Sequence, residues 1–390
     1  MHLGKRFVVS AGLAALAATA AFSASLGAFA SDVVGHVYVN DNTAGSNTIA
    51  AFDRHADGTL TPIDGSPFVA GGAGTGTVLG SQGALQVTAD GRYLVAVDAG
   101  SSQISVLRIR PDGSLRAVED IPVSSGGIEP ISVAVSEGLV YVANAGNGTT
   151  GGNYSGFTLN PGGHLSPITG STFALPSTAN PGDILFNSTG TNLIGIEVGT
   201  TVTSTFRIDS FSVGSDGLIT PAPGSPFAAQ AAGPFGSEFS PTNPGHLYVS
   251  NAHGGAGNGS VSAFNVSTAG ALSSIGASPY ADGQTAPCWV EISPDGRYLF
   301  AVNTGSTSIS SYQIQSDGSL SFQKNATFKS GAGIRPFDAR LDPSGSDLYV
   351  VDAALKAVTA FAVNGGSLSE LGTSPFALPT KATPFGIVVV

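Results

Sequence analysis

Glu238, Glu291 and Arg340 each stand four residues after a proline: Pro234, Pro287 and Pro336. Asp183, Trp289 and Asp338 each stand two residues after one: Pro181, Pro287 and Pro336. Two carboxylates beside one guanidinium can do acid–base chemistry. The arginine would hold a carboxylate or polarise a carbonyl, and a glutamate would move a proton. Crowded carboxylates also raise one another's pKa towards neutrality. The competing reading is an ion-paired plug that satisfies its own charges in a narrow space. Glu129 and Arg335, each directly before a proline, and His253, in the glycine-rich stretch SNAHGGAGNGS, complete the ionisable set. His253 reads either as a general base or as a solvated loop residue.

Other familiar arrangements are weaker or missing. Cys288 is the sole cysteine and no histidine is near it in sequence, so it reads as a small buried residue. There is no G-x-S-x-G elbow. GGAGTGTVLG (71–80) lacks the GK[ST] ending of a phosphate loop and reads as a connection between units.

These residues are positioned by a repeat. SPDGRYLFAVN (293–303) nearly repeats TADGRYLVAVD (88–98), and a segment written twice is structural before it is catalytic. A D-G-x-L-like turn followed by small residues and an aromatic occurs seven times. Its glycines are Gly58, Gly113, Gly163, Gly217, Gly270, Gly318 and Gly366, spaced 55, 50, 54, 53, 48 and 48 residues apart. Interleaved with it, apolar runs such as VYVND and LYVSN end at Asp41, Asp98, Asn144, Glu197, Asn251, Asn303 and Asp352. A proline opens a third segment at Pro130, Pro181, Pro234, Pro287, Pro336 and Pro384, with Gln82 in the equivalent place of one unit.

Period-two alternation between Gly- and Pro-bearing turns gives short strands. Four strands per unit and seven units predict an all-β, seven-bladed β-propeller of four-stranded antiparallel blades. The segment PFGIVVV is expected to serve as the inner strand of the blade begun by GHVYVND, closing the ring. Glu238, Glu291 and Arg340 then lie at one depth on three consecutive blades. Asp183, Trp289 and Asp338 lie nearer one mouth of the axial channel, and Glu129, Arg335 and His253 at its rim. The residues ending the LYVxN-type runs are expected to cap their own turns; the acidic ones could also hold a Ca²⁺. No metal-ligand spacing is present, so no cofactor is expected beyond that.

Composition bounds the rest. The chain has 54 glycines, 11% charged residues and a net charge of −11, which disfavours nucleic acid and anionic membrane surfaces as partners. Lys5-Arg6, an apolar stretch and Ala28-Phe29-Ala30 read as a cleaved signal peptide over 1–30. That leaves one exported propeller domain over 31–390, secreted, periplasmic or on the cell surface, without a membrane span and monomeric.

The LYVxN runs with D-G-x-L turns at about 50-residue spacing resemble the lactonase-type seven-bladed propellers. That family includes bacterial 6-phosphogluconolactonase, fungal carboxymuconate-cyclising enzymes and the YVTN repeat proteins. The resemblance implies that His, Arg and Glu in the central funnel carry lactone chemistry, a histidine often following the proline that opens an inner strand. Here those positions hold Gly83, Ile131, Gly182, Phe235, Cys288, Phe337 and Phe385, none of them His. Two functions follow. One is a lactonase-like enzyme hydrolysing or isomerising a small lactone or sugar acid, with Arg340 or Arg335 as the anchor and Glu291 or Glu238 as the base. The other is a non-catalytic propeller that binds a cell-wall glycan or a protein partner.

Overall fold

Strands such as Tyr93–Asp98 (YLVAVD) and Asp347–Asp352 (DLYVVD) are buried along their whole length. A strand apolar on both faces must be covered on both, and a ring of sheets does this by packing each against its neighbours. The computed structural model describes Met1, residues 32–329 and residues 333–390; the expected signal peptide lies outside the described residues. Asp32–Val390 forms one compact unit of seven antiparallel sheets. No helix among the described residues is long and apolar enough to cross a membrane.

We number the blades from the one containing Val33–Asn40 and Thr48–His55. Its inner strand is Ile387–Val389, from the far end of the chain, so the expected closure is present. Val37, Tyr38 and Val39 pair with Val389, Val388 and Ile387. Main-chain bonds between His36 and Val390, both 2.9 Å, extend the ladder. The inner strands of blades 2 to 7 are Leu85–Val87, Pro130–Ser136, Pro181–Phe186, Pro234–Ser240, Pro287–Ile292 and Pro336–Leu341.

The two repeated motifs are partners in space. The tyrosine of an LYVxN-type run donates its hydroxyl to the carbonyl of the D-G-turn glycine in the next blade. The bonds are Tyr38 to Gly113 (2.8 Å), Tyr141 to Gly217 (2.8 Å), Tyr248 to Gly318 (3.0 Å) and Tyr349 to Gly58 (3.0 Å). The last of these joins blade 7 to blade 1 across the closure.

The G-S-P-F segments also have a structural purpose. In six blades the outer strand is broken in two, and both pieces pair with the third strand, as Leu60–Pro62 and Phe68–Val69 do on Thr48–His55. In five of those blades a serine hydroxyl fills the gap by accepting a third-strand amide, for example Ala51 N–H to Ser66 Oγ (2.9 Å) and Ala360 N–H to Ser374 Oγ (2.9 Å). Blade 6, which reads KNATF there, keeps one continuous outer strand, Leu320–Thr327.

Candidate functional site

Register puts the expected residues at one level. Glu238 pairs with Tyr248, Glu291 with Phe300 and Arg340 with Tyr349, while Gln86, Ala134, Leu185 and Val388 occupy the same rung in the other blades. In blades 5 to 7 the register shifts just after the opening proline. Such a bulge re-aims the side chains that follow it.

Arg340 Nη1 lies 2.6 Å from Glu291 Oε2 and 3.3 Å from Glu238 Oε2. Glu291 is fully engaged, because its Oε1 also accepts the Leu341 N–H at 3.0 Å. Glu238 makes only the longer bond and keeps 28% side-chain exposure, against 16% for Arg340 and 11% for Glu291. Behind them, Asp183 Oδ2 accepts the Ser237 amide (2.9 Å) and hydroxyl (2.7 Å), and its Oδ1 accepts Ser132 Oγ (3.2 Å). Asp338 accepts the Gly83 N–H at 3.4 Å.

The electrostatics follow from burial and crowding. Burial raises the Glu238 carboxyl to about 8, with Glu291 and Asp183 adding to the rise and Arg340 opposing it. Asp183 is pushed up to about 7 by burial, against the pull of its Ser237 bonds. Asp338 rises to about 6, again chiefly by burial. The Arg340 guanidinium is held above its ordinary value by Glu291 and Glu238, despite its burial. A cavity of about 200 Å³ sits over this cluster, lined by Gln82, Gln86, Ala134, Val135, Asp183, Leu185, Phe186, Ser237, Glu238 and Arg340. It lies towards the ends of the inner strands, on the side of the S-P-D-G turns.

The channel is not open from end to end. Residues 81–83 cross it and form a septum. The Gln82 carboxamide donates to Ser237 O (2.9 Å) and accepts from Val290 N–H (3.2 Å), while its main-chain N–H reaches Gly182 O (2.9 Å). Trp289 Nε1 donates to Ser81 O at 2.9 Å. Gly83 has φ +78°, and a Cβ there would sit 3.0 Å from Ser132 Oγ, so only glycine turns the chain through this gap. On the proline side the septum is backed by an aromatic row: Phe235–Trp289, Trp289–Phe337 and Phe337–Phe385, with centroids 5.4, 4.9 and 4.7 Å apart. The positions where the resemblance implies histidine therefore supply an apolar seal. Cys288 is buried there too, its thiol pushed up to about 11 by burial.

The expected set is thus divided. Glu238, Glu291, Arg340, Asp183 and Asp338 come together beneath the turn-side cavity, and Trp289 helps to build the septum. Glu129 and His253 line a separate cavity of about 170 Å³ on the proline side, with Val78, Leu79, Ile131, Asn180 and Phe235 among its walls. Partial burial pushes Glu129 up and His253 down, disfavouring the charged form of each. Arg335 joins neither group. It is exposed, and its guanidinium stacks 5.4 Å over Phe337. The Gln82 septum is what sequence reasoning missed; its one signal was Gln82-Gly83 in the place of an inner-strand proline.

The residues ending the LYVxN-type runs differ in role from the expectation. Asp352 caps its own turn, accepting Ala354 and Leu355 N–H at 3.0 Å. Asn144, Asn251 and Asn303 instead reach across to third-strand hydroxyls at Ser155, Ser262 and Ser310. In blade 4 the corresponding pair is Glu197 and Asp209, two buried carboxyls hydrogen-bonded to each other, with Tyr154 donating to Asp209 at 2.9 Å. Burial and mutual repulsion push the Glu197 carboxyl up, and burial pushes up that of Asp209. Among the described residues no group of three or more His, Cys, Asp or Glu is placed to hold a metal.

The family model described as "Lactonase, 7-bladed beta-propeller" matches residues 35–160 and 237–384, well over half of the chain. The chain belongs to this lactonase family. Its fold recurs in a candidate 6-phosphogluconolactonase from Bacteroides uniformis, at 21% identity and TM-score 0.72, covering 91% of this chain and 99% of that one. A second candidate 6-phosphogluconolactonase, from Bacteroides fragilis, aligns at 18% identity and TM-score 0.71 over 92% and 98% of the two chains. The periplasmic gluconolactonase PpgL of Pseudomonas aeruginosa aligns at 18% identity and TM-score 0.67 over 91% and 99%. At these identities the likeness shows the lactonase propeller fold. No curated protein matches the chain.

Proposed function

We propose that this lactonase-family propeller is an exported, monomeric lactone hydrolase whose reaction takes place in the turn-side cavity. The observation that carries the reading is Glu238: a partly exposed carboxyl that burial raises to about 8, on the cavity wall, 3.3 Å from an arginine that another glutamate already holds. In its ionised form Glu238 takes a proton from water as the water oxygen attacks the lactone carbonyl carbon. Arg340 donates to the carbonyl oxygen as negative charge builds on it. The ring C–O bond then breaks, and Glu238 returns the proton to the leaving alkoxide, giving the hydroxy acid. Glu291 is a positioning residue that fixes the guanidinium. Arg335, Glu129 and His253 lie outside this chemistry.

Membership of the lactonase family and the 6-phosphogluconolactonase and gluconolactonase neighbours support the lactone class. The division into a cleaved leader over 1–30 and a propeller over 31–390, and with it export, is supported by the sequence alone. A second reading, a non-catalytic binding propeller, is favoured by the aromatic seal where the resemblance implies histidines. Turnover of a lactone panel above the spontaneous rate, lost in Glu238→Gln, separates the two. A wild-type rate equal to the spontaneous one would favour the binding reading.

A further inference from the structure

We infer that the turn-side cavity selects a neutral, hydroxyl-rich lactone ring and rejects phosphorylated or otherwise anionic ones. The inference rests on the lactonase reading above and adds the substrate class. Arg340 is the one cationic side chain lining the cavity among the described residues. Its charge is already matched by Glu291 at 2.6 Å and Glu238 at 3.3 Å. Asp183 lines the same wall, and Asp338 lies beneath it against Gly83.

The backbone offers an anion nothing either. The nearby amides of Ser237, Leu341, Gly83 and Val290 are already given to Asp183, Glu291, Asp338 and Gln82. A phosphate dianion here would meet a cluster of carboxyls around a single guanidinium that two of them already share, and burying an unmatched charge is strongly unfavourable. The rest of the lining suits a sugar. Gln86 and Ser237 offer polar atoms for hydroxyl groups, and Phe186, Leu185 and Val135 form an apolar wall for the C–H face of a ring. At about 200 Å³ the space is below the range usual for drug-sized ligands and fits one small ring.

The test compares initial rates, each corrected for spontaneous hydrolysis, on glucono-1,5-lactone and its 6-phosphate ester, for the wild type and Gln86→Lys. Gln86 lies on the cavity wall, so the substitution adds a cation without removing the catalytic groups. The expected result is kcat/KM at least about a hundred-fold higher for the neutral lactone. In Gln86→Lys that ratio should fall about ten-fold or more, through faster turnover of the phosphate ester. Equal rates, or preference for the ester, would overturn the substrate class while leaving the hydrolase reading standing. A wild type that accelerates neither compound would overturn the hydrolase reading, and the substrate class with it.

Discussion

The two ends of the axial channel are built from the same seven inner strands and have opposite chemistry. At the proline end, Phe235, Trp289, Phe337 and Phe385 pack into a row, and partial burial disfavours the charged forms of the nearby Glu129 and His253. Two to three residues further along the same strands, Glu238, Glu291 and Arg340 form a charged cluster under a polar cavity. Blades 5 to 7 supply most of both ends. Alternation along a bulged strand therefore lets one repeat carry a seal and a site back to back, with Gln82 as the wall between them. A propeller can thus give its two mouths opposite linings without changing its fold.

Removing the one cation should have the largest effect on this contrast. Arg340→Ala leaves Glu291, Glu238, Asp183 and Asp338 without their counter-charge. We expect a loss of about 3–5 kcal/mol in urea unfolding at pH 7, together with loss of turnover. Arg335→Ala, at the other end, should change stability by less than about 0.5 kcal/mol. Comparable losses from the two variants would erase the distinction between the ends.

Breaching the wall comes next. Gln82→Ala leaves Val290 N–H and Ser237 O without their buried partner. A cost of about 1–3 kcal/mol is expected from the unpaired groups. Unchanged unfolding would mean that the septum is not held by these bonds.

The third prediction concerns protons. Burial raises Glu197, Asp209, Asp183 and Asp338 above their unfolded values, so between about pH 4.5 and 8 the folded chain binds more protons than the unfolded one. Stability should be greatest at the acid end of that window and fall as pH rises through it, by up to about 1.4 kcal/mol per pH unit for each proton held. Glu197→Gln should flatten the fall seen as a melting temperature across pH. A profile that rises from pH 5 to 8 would contradict the burial of these acids. The smallest effect is expected from Tyr349→Phe, about 1 kcal/mol for one inter-blade hydrogen bond, read as a small shift in the urea midpoint.

Much of the fold was legible because it is repeated. Seven D-G turns, seven LYVxN-type runs and six prolines fix the blade count, and PFGIVVV beside VYVND foretells the closure. The common depth of Glu238, Glu291 and Arg340 was legible for the same reason, since each is counted from its own proline. The septum was not. Residues 81–83 belong to one blade connection alone, and a path across an axis has no period to reveal it. The pairing of LYVxN tyrosines with D-G glycines in the next blade joins positions some 70 residues apart, a distance at which neither motif announces the other.

The central claim is that chemistry belongs to the turn-side chamber. Its most direct test is kcat/KM for glucono-1,5-lactone in Glu238→Gln and His253→Ala, measured side by side over pH 6 to 9. We predict a loss of about a hundred-fold or more in Glu238→Gln, a wild-type rate that climbs through about pH 8 as Glu238 ionises, and a His253→Ala profile that overlays the wild type. Wild-type activity retained in Glu238→Gln and lost in His253→Ala would place the reaction at the other end of the channel and contradict the claim.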